Sequence, residues 1–347
     1  MQQLVFITGS TGLVGGHLLV QLHLKRFKIK ALVRKTSSFE QLKLISDFYN
    51  VSFNEVIKAV DWVYGDTLDY IGLQEALKGV KTIYHCAAMV SFGRKNRETL
   101  LKTNIRGTAN MVDAAVECGV GQFCFISSIA ALGSENETGF IDETTPRDIN
   151  KPVSVYSESK FLSELEVWRG AAEGLNVVIL NPGVILGPGL PNKGSMLLFQ
   201  AASKGIPFYT DSVTGYIDVR DICRAAIDLI SREIYGKRFV LVSENVDNMR
   251  LFTDIAQQFG KKGPSVRAGK GLLNIAIVFA ELLSLFTKKD PPLSKDTIRT
   301  VTHPEYYSSQ LIKDTIHFSF TPISETIHDT SLFLINHLKE RQKKTWK

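Results

Sequence analysis

Short apolar runs alternate along this chain with stretches whose apolar residues recur every three or four positions. Leu4–Thr8, Lys28–Val33, Val60–Tyr64, Thr82–Cys86, Gln122–Ser127, Val177–Leu180 and Arg238–Val242 read as strands. Each is rich in β-branched or aromatic residues and too short for a helix. Leu13–Lys25 reads as an amphipathic helix. Arg97–Cys118 keeps helical spacing and stops before Gly119, and Val155–Ala172 is a further helix ended by Gly174. Strand and helix in alternation predict an α/β fold, with a doubly wound parallel sheet over the first 180 or so residues.

After Asn181-Pro182 the texture changes. Gly183–Pro191 carries three Gly and two Pro and reads as loop. Ser195–Lys204 and Asp221–Ser231 read as helices and Tyr216–Val219 as a strand. From Arg250 onward the pattern is mostly helical, with breaks near Gly260–Pro264 and Asp290–Pro292. These residues predict a smaller, mostly helical carboxy-terminal lobe that shapes a substrate pocket.

Composition changes the picture little. The 347 residues are 44% hydrophobic and 22% charged, which excludes a disordered or fibrous chain. The net charge of +6 is uneven: His337–Lys347 holds five Lys/Arg against one Glu. No aromatic ladder accompanies it, so a solvated basic tail is expected rather than a nucleic-acid partner. Cys86, Cys118, Cys124 and Cys223 show no CxxC and no metal spacing, so no metal is expected. Free thiols in a reducing compartment, and a chain that enters a strand at once with no leader, point to the cytoplasm. Gly271–Phe286 is apolar but shorter than the about 20 residues a span needs, and it contains Asn274 and Glu281. It is expected to be a helix of the substrate lobe, with an interfacial helix that admits an apolar substrate as the second reading.

The first chemical signal is Thr8-Gly9-Ser10-Thr11-Gly12-Leu13-Val14-Gly15, between a strand and a helix. Gly9 permits a tight turn, Gly12 lets backbone approach a pyrophosphate, and Gly15 allows close helix packing. The helix N-terminus adds free N–H groups and a positive dipole end. This is the pattern of a Rossmann dinucleotide site. Where the second strand ends, Arg34-Lys35-Thr36-Ser37 stands in place of the acid that would accept from the ribose hydroxyls of NAD. Two cations beside hydroxyls suit the 2′-phosphate of NADP, with NAD as the alternative. Asp66 and Thr67 close the third strand, where Asp66 either accepts from the adenine amino group or caps the next helix. Ala87 and Ala88 close the fourth, small enough for the cofactor to lie across the sheet edge.

Tyr156 and Lys160 stand four apart on a helix and share a face. A phenol titrates near 10, and a nearby ammonium is expected to lower that value so that the tyrosine exchanges a proton with a carbonyl or alcohol as hydride moves. A hydroxyl at a strand end, Ser127 or preferably Ser128, would hold the substrate oxygen.

Together TGSTGLVG at 8–15, Asp66, the HCAA run at 85–88, Asn104 with Gly107-Thr108, FISS at 125–128, YSESK at 156–160, NPG at 181–183 and YIDVRD at 216–221 resemble the extended short-chain dehydrogenase/reductases of the NAD-dependent epimerase/dehydratase superfamily. The resemblance implies a Rossmann domain over 1–182 plus about 217–245, a substrate lobe over 183–216 and 246–335, and the basic tail at 336–347. It implies a Ser128/Tyr156/Lys160 catalytic set ordered by Asn104. Backbone after Pro182, near Val184, would meet the nicotinamide. It also implies a possible homodimer paired through 97–118 and 155–172.

Dehydratases of that group place an Asp-Glu pair beside the catalytic hydroxyl, where this chain has Ser128-Ile129-Ala130. VRKTS, YSESKFLSELEV and NPGVILGPG look most like the dihydroflavonol-reductase-like members. The expected activity is NADP(H)-dependent reduction of a ketone or aldehyde on a small, rather apolar substrate. The alternative is a nucleotide-sugar epimerase with tightly bound NAD, in which Arg220 would contact a diphosphate. A non-catalytic dinucleotide sensor would be expected to lose the tyrosine or the lysine.

Overall fold

The computed structural model describes residues 3–90, 96–134, 139–269 and 304–345, the last five as backbone alone. In chain order come Leu4–Thr8 (β1), Leu13–Leu24 (α1), Lys28–Val33 (β2), Glu40–Phe48 (α2), Phe53–Ala59 (α3), Val60–Tyr64 (β3), Tyr70–Leu77 (α4) and Thr82–His85 (β4). Arg97–Leu101 (α5), Gly107–Glu117 (α6), Gln122–Ile126 (β5), Val155–Ala172 (α7), Asn176–Pro182 (β6) and Val184–Leu186 (β7) follow. Then come Met196–Lys204 (α8), Phe208–Tyr209 (β8), Val213–Asp218 (β9), Val219–Ser231 (α9), Lys237–Leu241 (β10), Glu244–Asp247 (β11), Asn248–Gln258 (α10) and Val266–Arg267 (β12). Gln310–Ile316 (α11) and Ile323–Thr345 (α12) complete the described chain.

Seven parallel strands form the central sheet in the order β10-β6-β5-β4-β1-β2-β3. The chain winds outward from β1 through β2 and β3, then returns to start β4 on the other side of β1. That reversal leaves a crevice at the carboxyl ends of β1 and β4. Both faces of the inner strands are covered, so these are largely apolar and their successive side chains enter different cores, while Lys28, Lys30 and Asp61 mark the more exposed β2–β3 edge. Val5 and Ile7 face the core shared with α1, α2 and α9, and Phe6 faces the core under α4, α6 and α7. Cys124 and Ile126 divide from Phe123 and Phe125 in the same way. Replacing Phe6 by Ala would cost about 3–5 kcal/mol.

Helix ends follow their cap residues. Asp69, Ser154, Asp218 and Asp247 each accept a backbone N–H at the start of α4, α7, α9 and α10. Helix α1 starts differently: Gly12 offers no side-chain cap, and its first turn holds no acid.

The structure differs from the sequence reading in several places. The helix expected over 97–118 is broken by a π-helical turn at Lys102–Arg106, where one extra residue bulges between α5 and α6. Residues 40–48 and 53–59 form helices that the pattern did not single out. Beside the central sheet, β11-β9-β7 form a three-stranded sheet and β12-β8 a two-stranded one, of which the pattern singled out only the strand at 216–219. The stretch expected as a tail from 336 continues α12 as far as Thr345. The apolar Gly271–Phe286 stretch lies outside the described residues. Among the described residues no helix is long and apolar enough to cross a membrane, and no cluster of acidic, His or Cys side chains could hold a metal.

Candidate active site at the carboxyl edge of the sheet

The glycine loop closes β1 over the crevice. Gly9 has φ +68°, and a Cβ there would lie 2.8 Å from backbone of Cys86 and Ala87. A Cβ on Gly15 would lie 2.2 Å from the Gly9 carbonyl oxygen. Both glycines are required by the chain itself. At Gly12, which is exposed, a Cβ would meet only the Gly9 oxygen, at 3.1 Å. The open space beside it lies at the uncapped N-terminus of α1, the place a pyrophosphate would take. The residues present therefore fit a dinucleotide. Ser10 is buried and donates to the Leu32 carbonyl at 3.4 Å, while Thr11, Leu13 and Val14 line the loop half-buried.

Arg34 and Lys35 stand exposed where β2 ends. Asp66, half-buried after β3, accepts from the Leu68 N–H at 3.0 Å, and the cap of α4 comes from Asp69 instead. Thr67 is buried under α6, its carbonyl accepting from Asn110. Ala87 and Ala88 follow β4 along the crevice. Pro182 is buried at the end of β6, and Val184 is half-buried beyond it.

Behind the crevice His85 joins the loop to the π-helical turn. The Ala87 N–H donates to Thr8 Oγ1 at 3.1 Å, and Thr8 Oγ1 lies 2.7 Å from His85 Nδ1. His85 Nε2 lies 3.1 Å from Thr108 Oγ1, which donates to the Asn104 carbonyl at 2.6 Å. One directed chain satisfies all four groups if the ring carries its proton on Nε2. Burial lowers the His85 pKa to about 3, so the ring is neutral.

Asn104 is 2% exposed. Its Oδ1 accepts from the Met89 N–H at 2.7 Å, and its Nδ2 donates to the Met89 carbonyl and to Ser159 Oγ, each at 3.0 Å. Both Nδ2 hydrogens are thus committed within the chain, and Oδ1 accepts one hydrogen bond. Ser159 in turn donates to the Tyr156 carbonyl at 2.8 Å.

Helix α7 brings Tyr156 and Lys160 to the end of β5. The Ser128 hydroxyl faces the Tyr156 phenol and favours its ionised form. Lys160, 3% exposed, donates from Nζ to the Ile126 carbonyl at 2.8 Å and lies 4.9 Å from the Phe125 ring centroid. Burial lowers its pKa to about 8, opposed by the charge of Glu164. The expected lowering of the Tyr156 pKa is absent. Burial pushes the phenol up to about 12, and the Ser128 hydroxyl opposes this only in part. Desolvation of a would-be phenolate outweighs the stabilisation its surroundings give.

Two residues in this region carry no sequence motif. Arg147 donates to the Ala130 and Ala131 carbonyls at 3.2 and 3.1 Å, and to Ser157 Oγ at 3.0 Å, with its guanidinium 4.6 Å from the Phe161 ring centroid. It ties the turn after Ser128 to the turn that holds Tyr156. Glu164, 1% exposed, accepts from Ser127 Oγ at 2.5 Å and Asn181 Nδ2 at 2.6 Å, and pairs with Arg238 at 3.4 Å. The signal available for Glu164 was its spacing, since 156, 160 and 164 share one helix face. For Arg147 there was none.

Arg220 does not face the crevice freely. Asp218 holds it through two side-chain hydrogen bonds, at 3.0 and 2.6 Å, and Asp329 pairs with it at 2.7 Å.

The pattern of the NAD dependent epimerase/dehydratase family matches residues 5–240. Cinnamoyl-CoA reductase 1 of Petunia hybrida is 25% identical over 342 residues, covering 94% of this chain and 91% of that protein. Dihydroflavonol 4-reductase of Solanum lycopersicum is 24% identical over 271 residues, covering 75% and 69%. The crystal structure of gox2253 superposes with a TM-score of 0.79 at 27% identity, covering 97% of this chain and 99% of that one. UDP-glucose 4-epimerase of Thermotoga maritima shares the fold with a TM-score of 0.74 at 18% identity, covering 97% and 100%. A family match across two thirds of the chain coincides with the glycine loop, the switch-point crevice and the Tyr–Lys helix. This chain accordingly belongs to the NAD dependent epimerase/dehydratase family, whose members are NAD(P)-dependent enzymes.

Proposed function

We propose that the protein is an NADPH-dependent reductase of a ketone or aldehyde on a small, rather apolar substrate, with Tyr156 as the proton donor. The carrying observation is the half-buried Tyr156 phenol facing the Ser128 hydroxyl, with buried Lys160 one turn further along the same face of α7, beside the cofactor crevice. When bound, the dinucleotide would supply a hydride for the carbonyl carbon. The alkoxide that then forms is far more basic than even this phenol, so Tyr156 gives up its proton. Ser128 holds the substrate oxygen. Lys160, in its charged form, stabilises the phenolate left behind. Gly12 and the first turn of α1 would hold the pyrophosphate, and Arg34 with Lys35 the 2′-phosphate.

The commitment of Arg220 to Asp218 and Asp329 takes away the cation that the nucleotide-sugar epimerase reading assigned to a diphosphate, and favours the reductase. Four free thiols suit a reducing cytoplasm. Leu165, 47% exposed on the outer face of α7, suits a homodimer paired through that helix.

The test is NADPH oxidation against a panel of aryl, alicyclic and aliphatic ketones and aldehydes. Turnover with NADPH that is lost in Tyr156→Phe supports the reading. Copurified NAD that does not exchange, with UDP-glucose interconverted and no carbonyl reduced, overturns it.

A further inference from the structure

Among the described residues no carboxylate forms an ion pair with Lys160, yet it must be charged to serve Tyr156. The groups around it are few. Tyr156 and Glu164 lie on its own helix. Phe125 and Ile126 meet it from β5, and His85 and Cys86 act on it from the end of β4 and the residue after it, while Ser127 and Asn181 hold Glu164. His85 is neutral, and burial pushes the Cys86 thiol up to about 12, so neither carries charge near pH 7. Arg147 and Arg238 face Glu164 from the loop before α7 and from β10. Glu164 is thus the one carboxylate that acts on Lys160 from within the packed elements named here. Its oxygens receive a hydroxyl, an amide and a guanidinium, an all-donor environment that suits the ionised form. Asn181 also donates to the Ser128 carbonyl at 2.9 Å, so the same carboxylate is tied to the backbone that carries the substrate hydroxyl.

We propose that Glu164 is a positioning residue: its buried carboxylate, fixed by Ser127, Asn181 and Arg238, keeps Lys160 charged against burial and sets the pH range over which Tyr156 can work. This rests on the reading of Tyr156 and Lys160 as the proton-handling pair. With Glu164 present the Lys160 ammonium persists to about pH 8. Without it, burial meets less opposition and the ammonium is lost at a lower pH.

The experiment is a pH titration of Lys160 by 13C NMR on lysine-labelled protein without added cofactor, with Lys160→Arg identifying the resonance. In Glu164→Gln, which keeps the shape, the midpoint should fall by about one pH unit. In Glu164→Asp, which keeps the charge, it should stay within a few tenths. An unshifted midpoint in Glu164→Gln overturns the proposal. Should that variant not fold, Arg238→Met keeps the test open: removing the cation that offsets the carboxylate should raise the midpoint, and no change overturns the proposal. NADPH oxidation by the parent protein is scored separately. A shifted midpoint in a protein that reduces no carbonyl removes the reductase reading and leaves the charge role. An unshifted midpoint in an active reductase does the reverse.

Discussion

The Lys160 ammonium donates to the Ile126 carbonyl across 2.8 Å, from the helix that carries Tyr156 to the strand that leads into Ser128. That bond ties α7 to the end of β5, alongside the Ser127–Glu164 hydrogen bond between the same two segments. The bond is buried, so its geometry is held by packing as well as by charge.

Tyr156→Phe should lower turnover by about 10²–10⁴-fold, the contribution of a positioned acid. NADPH affinity should change less than about threefold, because the phenol's proton is used only as the carbonyl is reduced. Initial rates and a fluorescence titration of NADPH check the two halves. Full turnover in this variant would sink the mechanism.

Gly12→Ala and Gly15→Ala should part company. The methyl at 12 meets only the Gly9 carbonyl oxygen, at 3.1 Å, a contact a shift of a few tenths of an ångström relieves, so the fold should survive while NADPH binding weakens about tenfold or more, roughly 1.4 kcal/mol. The methyl at 15 runs into the Gly9 carbonyl, so this variant should lose about 2–3 kcal/mol of stability. Urea unfolding with and without NADPH separates them. Equal losses of stability would contradict the assignment of Gly12.

Arg34→Ala should weaken NADPH by about 10-fold or more and leave NADH unchanged, since only the former carries the 2′-phosphate that a guanidinium can grip. Equal weakening of both would mean that Arg34 is a solvated cation without a ligand.

Arg147→Met should slow turnover by roughly tenfold while leaving the dissociation constant of NADPH within about twofold. The variant leaves the Ala130 and Ala131 carbonyls and Ser157 without their shared donor, and so loosens Ser128 relative to Tyr156. A split in which affinity falls and turnover does not would place Arg147 elsewhere in the mechanism.

Stability should fall as the solution is acidified below about pH 6.5. His17 and His85 are buried, and burial lowers their pKa values to about 4 and 3. The unfolded chain takes up both protons near 6.5 and the native one does not, so their contribution is intact above 6.5 and lost on the way down. Each histidine should remove about 1.4 kcal/mol per pH unit over that window. Urea midpoints at pH 7.5 and 5 check it, and equal midpoints would contradict it.

The parts of the site legible in the sequence are those made by neighbours in the chain. Gly9, Gly12 and Gly15 are one turn, Tyr156 and Lys160 are one helix face, and each strand end is marked where its apolar run stops. The parts that escaped are joined by folding alone. Arg147 meets Ala130 and Ser157 through a loop of no regular pattern. Glu164 meets Asn181 and Arg238 across three elements. The direction of the Tyr156 pKa escaped for a related reason: spacing brings Lys160 close, but only the packed structure gives the cost of desolvating the phenolate. The π-helical turn at 102–106 is likewise invisible to a 3.6-residue period, since one inserted residue leaves the pattern on either side intact.

Gly183 alone separates β6 of the central sheet from β7 of the lobe sheet. Its N–H is bonded to the Leu241 carbonyl at 3.0 Å, and a Cβ on it would lie 2.4 Å from the Gly215 oxygen. A junction this short and this tightly packed has no slack to act as a hinge. β7 should then move with β6 in any breathing motion. Hydrogen exchange at the Gly183 amide should be as slow as in the middle of β6, with or without nucleotide.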